Sequence, residues 1–254
     1  MMNKLLKIKK IRKKLLNKQP TIGSWMQIPD PAVAEIMGSS NFDWVAVDME
    51  HGSIGIHQLP NLFRSLELGD TLPLVRMQEG TERYCARILD SGAAGIIVPM
   101  VESAEQLIKI RDASCWPPSG KRGVGFSRAN LYGNNFEEYK KEAGNPLLIA
   151  MIENIKALDN LENILKVKGL DSIMIGPYDL SASLGITGDF SNTLFKKTIN
   201  TIKGLSQENG VPIGFHVVNP SKKEVHSKVK EGYQFIAHSI DSVLLLDSIK
   251  NLEF

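Results

Sequence analysis

Eight short apolar runs recur along the chain, at 22–27, 44–48, 72–76, 95–99, 147–152, 172–175, 213–217 and 235–238. Between most of them the apolar spacing turns helical, at 80–90, 103–113, 157–167, 191–208, 220–231 and 241–251. Near-continuous apolar strands that alternate with helices require a parallel sheet covered on both faces. Eight such units within 254 residues predict an α/β fold of the (β/α)8 TIM-barrel class rather than an open doubly wound sheet. No GxGxxG follows the first run, which counts against dinucleotide binding. Neither an internal repeat nor a low-complexity linker interrupts the pattern, so one barrel domain is expected at 21–254, behind a leading helix at 1–20.

That leading segment departs from the rest in charge. Residues 1–20 carry eight of the 30 Lys and Arg and no acid, which leaves 22 bases against 28 acids in the remainder. A basic start is found in nucleic-acid arms, membrane-surface helices and targeting segments. Here Leu5, Ile8, Ile11, Leu15 and Leu16 fall at helical spacing, which predicts an amphipathic helix lying on the body with its charges outward. Without an uninterrupted apolar core or a small-residue cleavage site, a secretory signal is not expected. The two cysteines, Cys85 and Cys115, lie far apart in no ligand-like spacing, so a reducing, cytoplasmic setting is expected, with no nucleic-acid or membrane partner.

In a barrel the loops after the strand C-termini build the active face. Those ends carry Trp25 and Gln27; Asp48, Glu50 and His51; Arg76; Glu153; Asp179; and, within the seventh strand, His216. Glu153 and Asp179 each follow an apolar strand directly, and paired hard oxygen ligands suit Mg²⁺ or Mn²⁺. Both carboxylates have a plainer reading as helix caps or ion-pair partners. His51, beside Asp48 and Glu50, has the surroundings of a general base, although a lone histidine is more often structural. Arg76 is suited to a two-pronged grip on a substrate carboxylate, or else to an ion pair with Glu50 or Glu79. His57, His226 and His238 are read as structural or surface residues, and Asp241 as the N-cap of the last helix. No strand ends in lysine, which removes the obvious Schiff-base nucleophile. The Gly-, Pro- and Arg-rich stretch 116–145 is long for a connector and is expected to serve as a cover for the site.

At IGSWMQIPDPAVAEI, FDWVAVDMEHG, PLVRMQEG, ILDSGAAGIIVPMVESAEQ, WPPSGKRGVG, MIEN and IGPYDLSASLG, the chain resembles the HpcH/HpaI aldolase family of metal-dependent class II pyruvate aldolases. The likeness spans about nine-tenths of the chain in consistent order and is faintest after residue 215. It implies an enzyme that cleaves or forms the C3–C4 bond of a 4-hydroxy-2-oxo acid, giving pyruvate and an aldehyde. By the same resemblance Glu153 and Asp179 hold a divalent cation, Mg²⁺ or Mn²⁺ first and Co²⁺ or Zn²⁺ as alternatives. His51 is then the general base with Asp48 in support, and Arg76 holds the pyruvate end. Asp90 matches a position that reaches a neighbouring subunit's histidine, which implies a homo-oligomer, a hexamer by resemblance. Gly176, Pro177 and Tyr178 match backbone beside the pyruvate carboxylate, and Trp25 and Arg122 occupy substrate-facing places.

Two residues depart from the pattern. Met151 stands where some members have glutamine, and His216 where some have an apolar side chain. Two alternatives remain open at this level: a related lyase acting on a CoA thioester or phosphoenolpyruvate-like substrate, and a noncatalytic barrel used as a scaffold.

Overall fold

The computed structural model describes residues 3–252; residues 1–2 and 253–254, the outer ends of the two segments expected from the sequence, lie outside the described residues. Eight parallel strands close into a barrel in chain order: β1 (Thr21–Met26), β2 (Trp44–Asp48), β3 (Leu72–Arg76), β4 (Gly95–Val98), β5 (Leu147–Ile152), β6 (Ser172–Ile175), β7 (Ile213–Val217) and β8 (Phe235–Ile240). The helices are α1 (Lys4–Leu16), α2 (Pro31–Gly38), α3 (Leu59–Leu68), α4 (Cys85–Asp90), α5 (Ala104–Ser114), α6 (Phe136–Ala143), α7 (Lys156–Asp159), α8 (Leu161–Leu165), α9 (Pro177–Ser183), α10 (Thr193–Glu208), α11 (Lys222–Lys230) and α12 (Asp241–Lys250).

Alternation along each strand divides the apolar residues into two clusters. Val45, Val47, Val75, Ile96 and Ile175 pack outward against the helices. Trp44, Ala46, Leu72, Leu74, Ile149 and Met174 fill the barrel with Phe235, on which Trp44 stacks at 4.2 Å. Helix α1 belongs to this inner cluster. Its Ile8, Ile11 and Leu15 are buried with Trp44, Leu72, Leu147 and Phe235, each the first residue of its strand, so α1 plugs the N-terminal end of the barrel. Several of its charges are also tied down: Lys4 to Glu142, Lys7 to Asp70, Arg12 to Asp171 and Lys14 to Asp43. Leu16, which the periodicity puts on the inner face, is 80% exposed.

Three further differences from the sequence reading have plain causes. The patterns at 80–90 and 157–167 break, the first into a 3-10 turn (Glu82–Tyr84) before α4 and the second at Asn160 between α7 and α8. Helices α2, α3, α6 and α9, each of ten residues or fewer, lie outside the helical patterns read from the sequence; α2 and α9 span about two turns. Asp241 is not the N-cap of α12, which is Ile240; its carboxylate accepts instead from the backbone N–H groups of Gln27 and Ile28, fastening the β1 loop to β8.

The stretch 116–145 does not cover the mouth. It follows a helix and precedes a strand, so it leaves from the opposite end of the barrel. There it forms a satellite core of Trp116, Ala129, Tyr139 and Ala143, and Arg128 clamps it to Glu67 on α3.

Candidate active site at the barrel mouth

The centre of the mouth is an ion pair between adjacent strands. Asp48 ends β2 and Arg76 ends β3, directly in register, so both side chains point into the barrel at the same height. Arg76 Nε donates to Asp48 Oδ1 at 2.8 Å and Nη2 to Oδ2 at 2.7 Å, a bidentate pair with Asp48 fully buried. Gln27 Nε2 donates to Oδ2 at 2.8 Å, and the backbone N–H groups of Glu50 and His51 reach Oδ1. Burial alone pushes the Asp48 carboxyl up, but the hydrogen bonds and charge of Arg76, with Gln27 and the His51 amide, outweigh it and hold Asp48 below its ordinary value. Glu50 Oε2 lies 3.3 Å from Arg76 Nη1. Of the five N–H donors of a guanidinium, three therefore face protein carboxylates and two are left for a ligand.

Asp48 thus serves Arg76 and the backbone of the β2 loop rather than the His51 ring. That imidazole is 55% exposed, and the acid nearest its Nε2 is Glu50, at 4.0 Å.

Glu153 follows β5 and is 2% exposed. Its Oε1 accepts the Met100 N–H at 2.7 Å, whereas Oε2 is buried without a partner. Burial, and after it the charges of Glu50 and Asp179, push its carboxyl up to about 7 against the pull of the Met100 amide and Arg76. Gly176 provides the room: a Cβ there would lie 2.4 Å from Glu153 Oε2. Asp179 sits exposed in the first turn of α9. Burial, with Asp48 and Asp179 behind it, also raises Glu50. Three carboxylates, Asp48, Glu50 and Glu153, thus share one guanidinium, and Asp179 adds its charge to the surroundings of Glu50 and Glu153.

A divalent cation fits this chemistry. Glu153 Oε2 is an unpartnered, buried hard oxygen with a raised carboxyl, and Asp179 is the free acid that interacts with it. The protein supplies only part of a coordination shell: among the described residues no group of three or more His, Cys, Asp or Glu gathers to hold an ion.

The rim opposite is aromatic. Trp25 of β1 lies under Arg76, whose guanidinium carbon is 4.5 Å from the ring centroid. The His216 ring of β7 meets Trp25 edge-on at 5.8 Å. Pro177 is buried and Tyr178 is exposed at the start of α9, with Gly176 before them.

Asp90 and Arg122 are not brought to this mouth. Asp90 ends α4, and Arg122, 2% exposed, donates to Tyr139 Oη at 2.8 Å in the satellite core. Burial raises the Asp90 carboxyl, and the charge of Arg122 opposes that rise. The Met100 amide carries no motif that marks it, and Gln27, read at a strand end, meets Asp48 only through the three-dimensional register.

The HpcH/HpaI aldolase/citrate lyase family model matches residues 21–248. The hydroxypyruvate/pyruvate aldolase of Roseobacter denitrificans is 34% identical over 245 residues, 95% of this chain and 94% of that protein. The 2-keto-3-deoxy-L-rhamnonate aldolase of Klebsiella pneumoniae is 34% identical over 238 residues, covering 92% and 88%. A family protein from Burkholderia cenocepacia superposes with a TM-score of 0.88 at 25% identity, covering 95% of this chain and 96% of that one. With the closed barrel and its acid-lined mouth, these matches establish that the chain belongs to the HpcH/HpaI aldolase/citrate lyase family.

Proposed function

We propose that the protein is a divalent-metal-dependent carbon–carbon lyase that cleaves or forms the C3–C4 bond of a 4-hydroxy-2-oxo acid, with pyruvate and an aldehyde as the other side of the equilibrium. The observation that carries this reading is Glu153 Oε2, buried and unpartnered beside Asp179 and within the field of Arg76. The two relatives named above are aldolases by name, one of pyruvate and one of a 2-keto-3-deoxy sugar acid, which supports the carbon–carbon lyase part of the reading.

Glu153 and Asp179 hold the cation, Mg²⁺ or Mn²⁺ ahead of Co²⁺ or Zn²⁺. When bound, it supplies Lewis-acid polarisation of the substrate's 2-keto oxygen. The rest is done by the chain's own side chains. Arg76, fixed by Asp48 and Glu50, turns its two free N–H groups to the pyruvate end and stabilises charge that grows on the keto oxygen as the C3–C4 bond breaks. His51, exposed at the rim, accepts the C4 hydroxyl proton, and Glu50 stabilises the imidazolium that results. The N-terminal turn of α9, from Gly176 through Tyr178, lies beside the substrate carboxylate.

Oligomeric state and compartment belong to the same reading: a cytoplasmic homo-oligomer, a hexamer by resemblance. Exposed Leu245, Leu246 and Ile249 on α12 support self-association, and free, buried Cys85 and Cys115 suit a reducing setting. Among the described residues no helix is long and apolar enough to cross a membrane.

A panel of 4-hydroxy-2-oxo acids, scored for pyruvate release with and without a chelator, tests the assignment, with CoA thioesters run beside it. Chelator-sensitive pyruvate release is expected; thioester cleavage alone replaces this reading with the related-lyase one.

A further inference from the structure

Helix α1 turns its faces to different surroundings. Ile8, Ile11 and Leu15 are buried in the N-terminal end of the barrel, while Leu6, Lys9, Lys10, Lys13 and Leu16 fall at helical spacing on the other side and are exposed. On the flanks between, Lys4, Lys7, Arg12 and Lys14 hold the body's acids Glu142, Asp70, Asp171 and Asp43. Among the described residues Lys9, Lys10 and Lys13 hold no acid. Lys10 borders the hollow that contains Asp43 and Asp70, but those carboxylates already hold Lys14 and Lys7. A merely solvated helix face usually mixes its signs, and this molecule has such faces: α6 pairs Glu137 with Lys140 and Glu138 with Lys141, and α5 pairs Glu105 with Lys109. The outer face of α1 carries one sign and two leucines.

Charge is divided in the same sense across the whole molecule. Residues 1–20 hold eight bases and no acid, against 22 bases and 28 acids in the rest. Lys18, just after α1, and Lys168, in the turn before β6, are exposed at the same end of the barrel. The opposite end is the mouth, where Asp48, Glu50, Glu153 and Asp179 gather. An anionic surface therefore attracts the N-terminal end and repels the mouth, and the mouth is left facing water.

The two leucines decide which kind of anionic surface fits. Leu6 and Leu16, 62% and 80% exposed, flank the lysines along the stripe. The phosphates of a nucleic acid reward the lysines but not the leucines. From Leu6 to Leu16 the stripe also has no side chain for reading base edges or stacking on them, since Arg12 is spent on Asp171. A bilayer of acidic lipid rewards both kinds of residue: headgroup phosphates face the ammonium groups, and the leucines reach the boundary with the acyl chains.

We propose that the outer face of α1 docks the protein on an anionic lipid surface with the N-terminal end of the barrel down. Lys9, Lys10 and Lys13 lie on the headgroups, and Leu6 and Leu16 enter the interface at either end of them. The apolar inner face of α1 stays seated in the barrel, so the contact is peripheral and salt reverses it.

The test is co-sedimentation of the full-length protein with vesicles of phosphatidylcholine alone, or of phosphatidylcholine mixed equally with phosphatidylglycerol, at low and high salt. The wild-type protein is expected to sediment with the mixed vesicles at low salt, and to stay in solution with the neutral vesicles or at high salt. The triple variant Lys9→Gln, Lys10→Gln, Lys13→Gln is expected to partition roughly a hundredfold less, at about fivefold per lysine near an acidic surface. Leu6→Ser, Leu16→Ser is expected to weaken partition as well while keeping the salt dependence of the wild type. All five side chains point away from the barrel, so circular dichroism and melting of both variants are expected to match wild type; should one fail to fold, the other carries the comparison. A wild-type protein that ignores the acidic vesicles, or a folded lysine variant that binds them unchanged, overturns the proposal. Tighter retention on double-stranded DNA than on the vesicles, indifferent to the leucine changes, also overturns it and makes the stripe a nucleic-acid contact.

Discussion

Glu153 concentrates the electrostatic cost of the site in one residue. Its carboxyl is raised to about 7 from an ordinary 4.5, by burial first and then by Glu50 and Asp179. Below the ordinary value the folded and unfolded chains both hold the proton, and the group is neutral to stability. Between there and about 7 the unfolded chain has released its proton while the fold retains it, so the metal-free protein loses stability as pH rises. Cation binding needs the carboxylate, so affinity climbs over the same window. Melting of the metal-free protein between pH 5 and 8 is expected to show a falling Tm that flattens in Glu153→Gln, while calorimetry shows Mn²⁺ binding strengthening up to about pH 7. A slope identical in the variant removes Glu153 from this role. Replacing His51 with Ala is expected to slow the chemical step by roughly 10²–10⁴-fold and leave pyruvate affinity near normal. Equal losses in both mean that the ring is structural. The place of Glu153, Asp179, Asp48 and Arg76 at one mouth was legible in the sequence because each lies at, or within a few residues after, the end of an apolar strand. The Met100 amide was not, because a backbone N–H leaves no residue-type signature. For Asp48 the sequence showed the place but not the partner, since Arg76 lies 28 positions away and meets it only through the β2–β3 register.

Among the elements, α1 shows what periodicity reads well and where charge misleads. The spacing of Ile8, Ile11 and Leu15 was enough to predict an inner face, and that face closes the barrel's N-terminal end. The basic residues resembled an arm for an acidic partner, but four of them meet acids of the body itself. These pairs are partly exposed and contribute little each; the buried isoleucines do most of the anchoring. Ile11→Ala is expected to cost roughly 2–5 kcal/mol in urea unfolding, whereas Lys9→Gln on the outer face stays within about 0.5 kcal/mol. Comparable losses from the two would mean that charge, not packing, seats the helix. The 116–145 stretch was misread for a topological reason. Its length and glycine content signal importance, but only its place between a helix and the following strand tells which end of the barrel it serves.

For the whole molecule, two groups stand out among the described apolar residues left uncovered. Helix α12 exposes Leu245, Leu246 and Ile249 at 54%, 51% and 52%, and the 116–145 segment exposes Val124, Phe126 and Tyr132 at 55%, 75% and 67%. Single exposed apolar residues are ordinary, but groups of large ones mark surfaces that another chain covers. Helix α12 touches β1 and β8 at its start, and its last two turns are largely exposed. A helix of ten residues has little stability by itself, so a neighbouring copy has a physical reason to hold it. The Leu246→Glu, Ile249→Glu double variant is therefore expected to lower the mass seen by light scattering to that of a single chain, with the far-ultraviolet circular dichroism of the barrel retained. Burial of a carboxylate without a partner is what splits the assembly, so Leu246→Ala, Ile249→Ala is expected to weaken association less than the glutamates do. A wild-type protein already monomeric at tens of micromolar, or a glutamate variant that assembles unchanged, would show that α12 faces solvent by design.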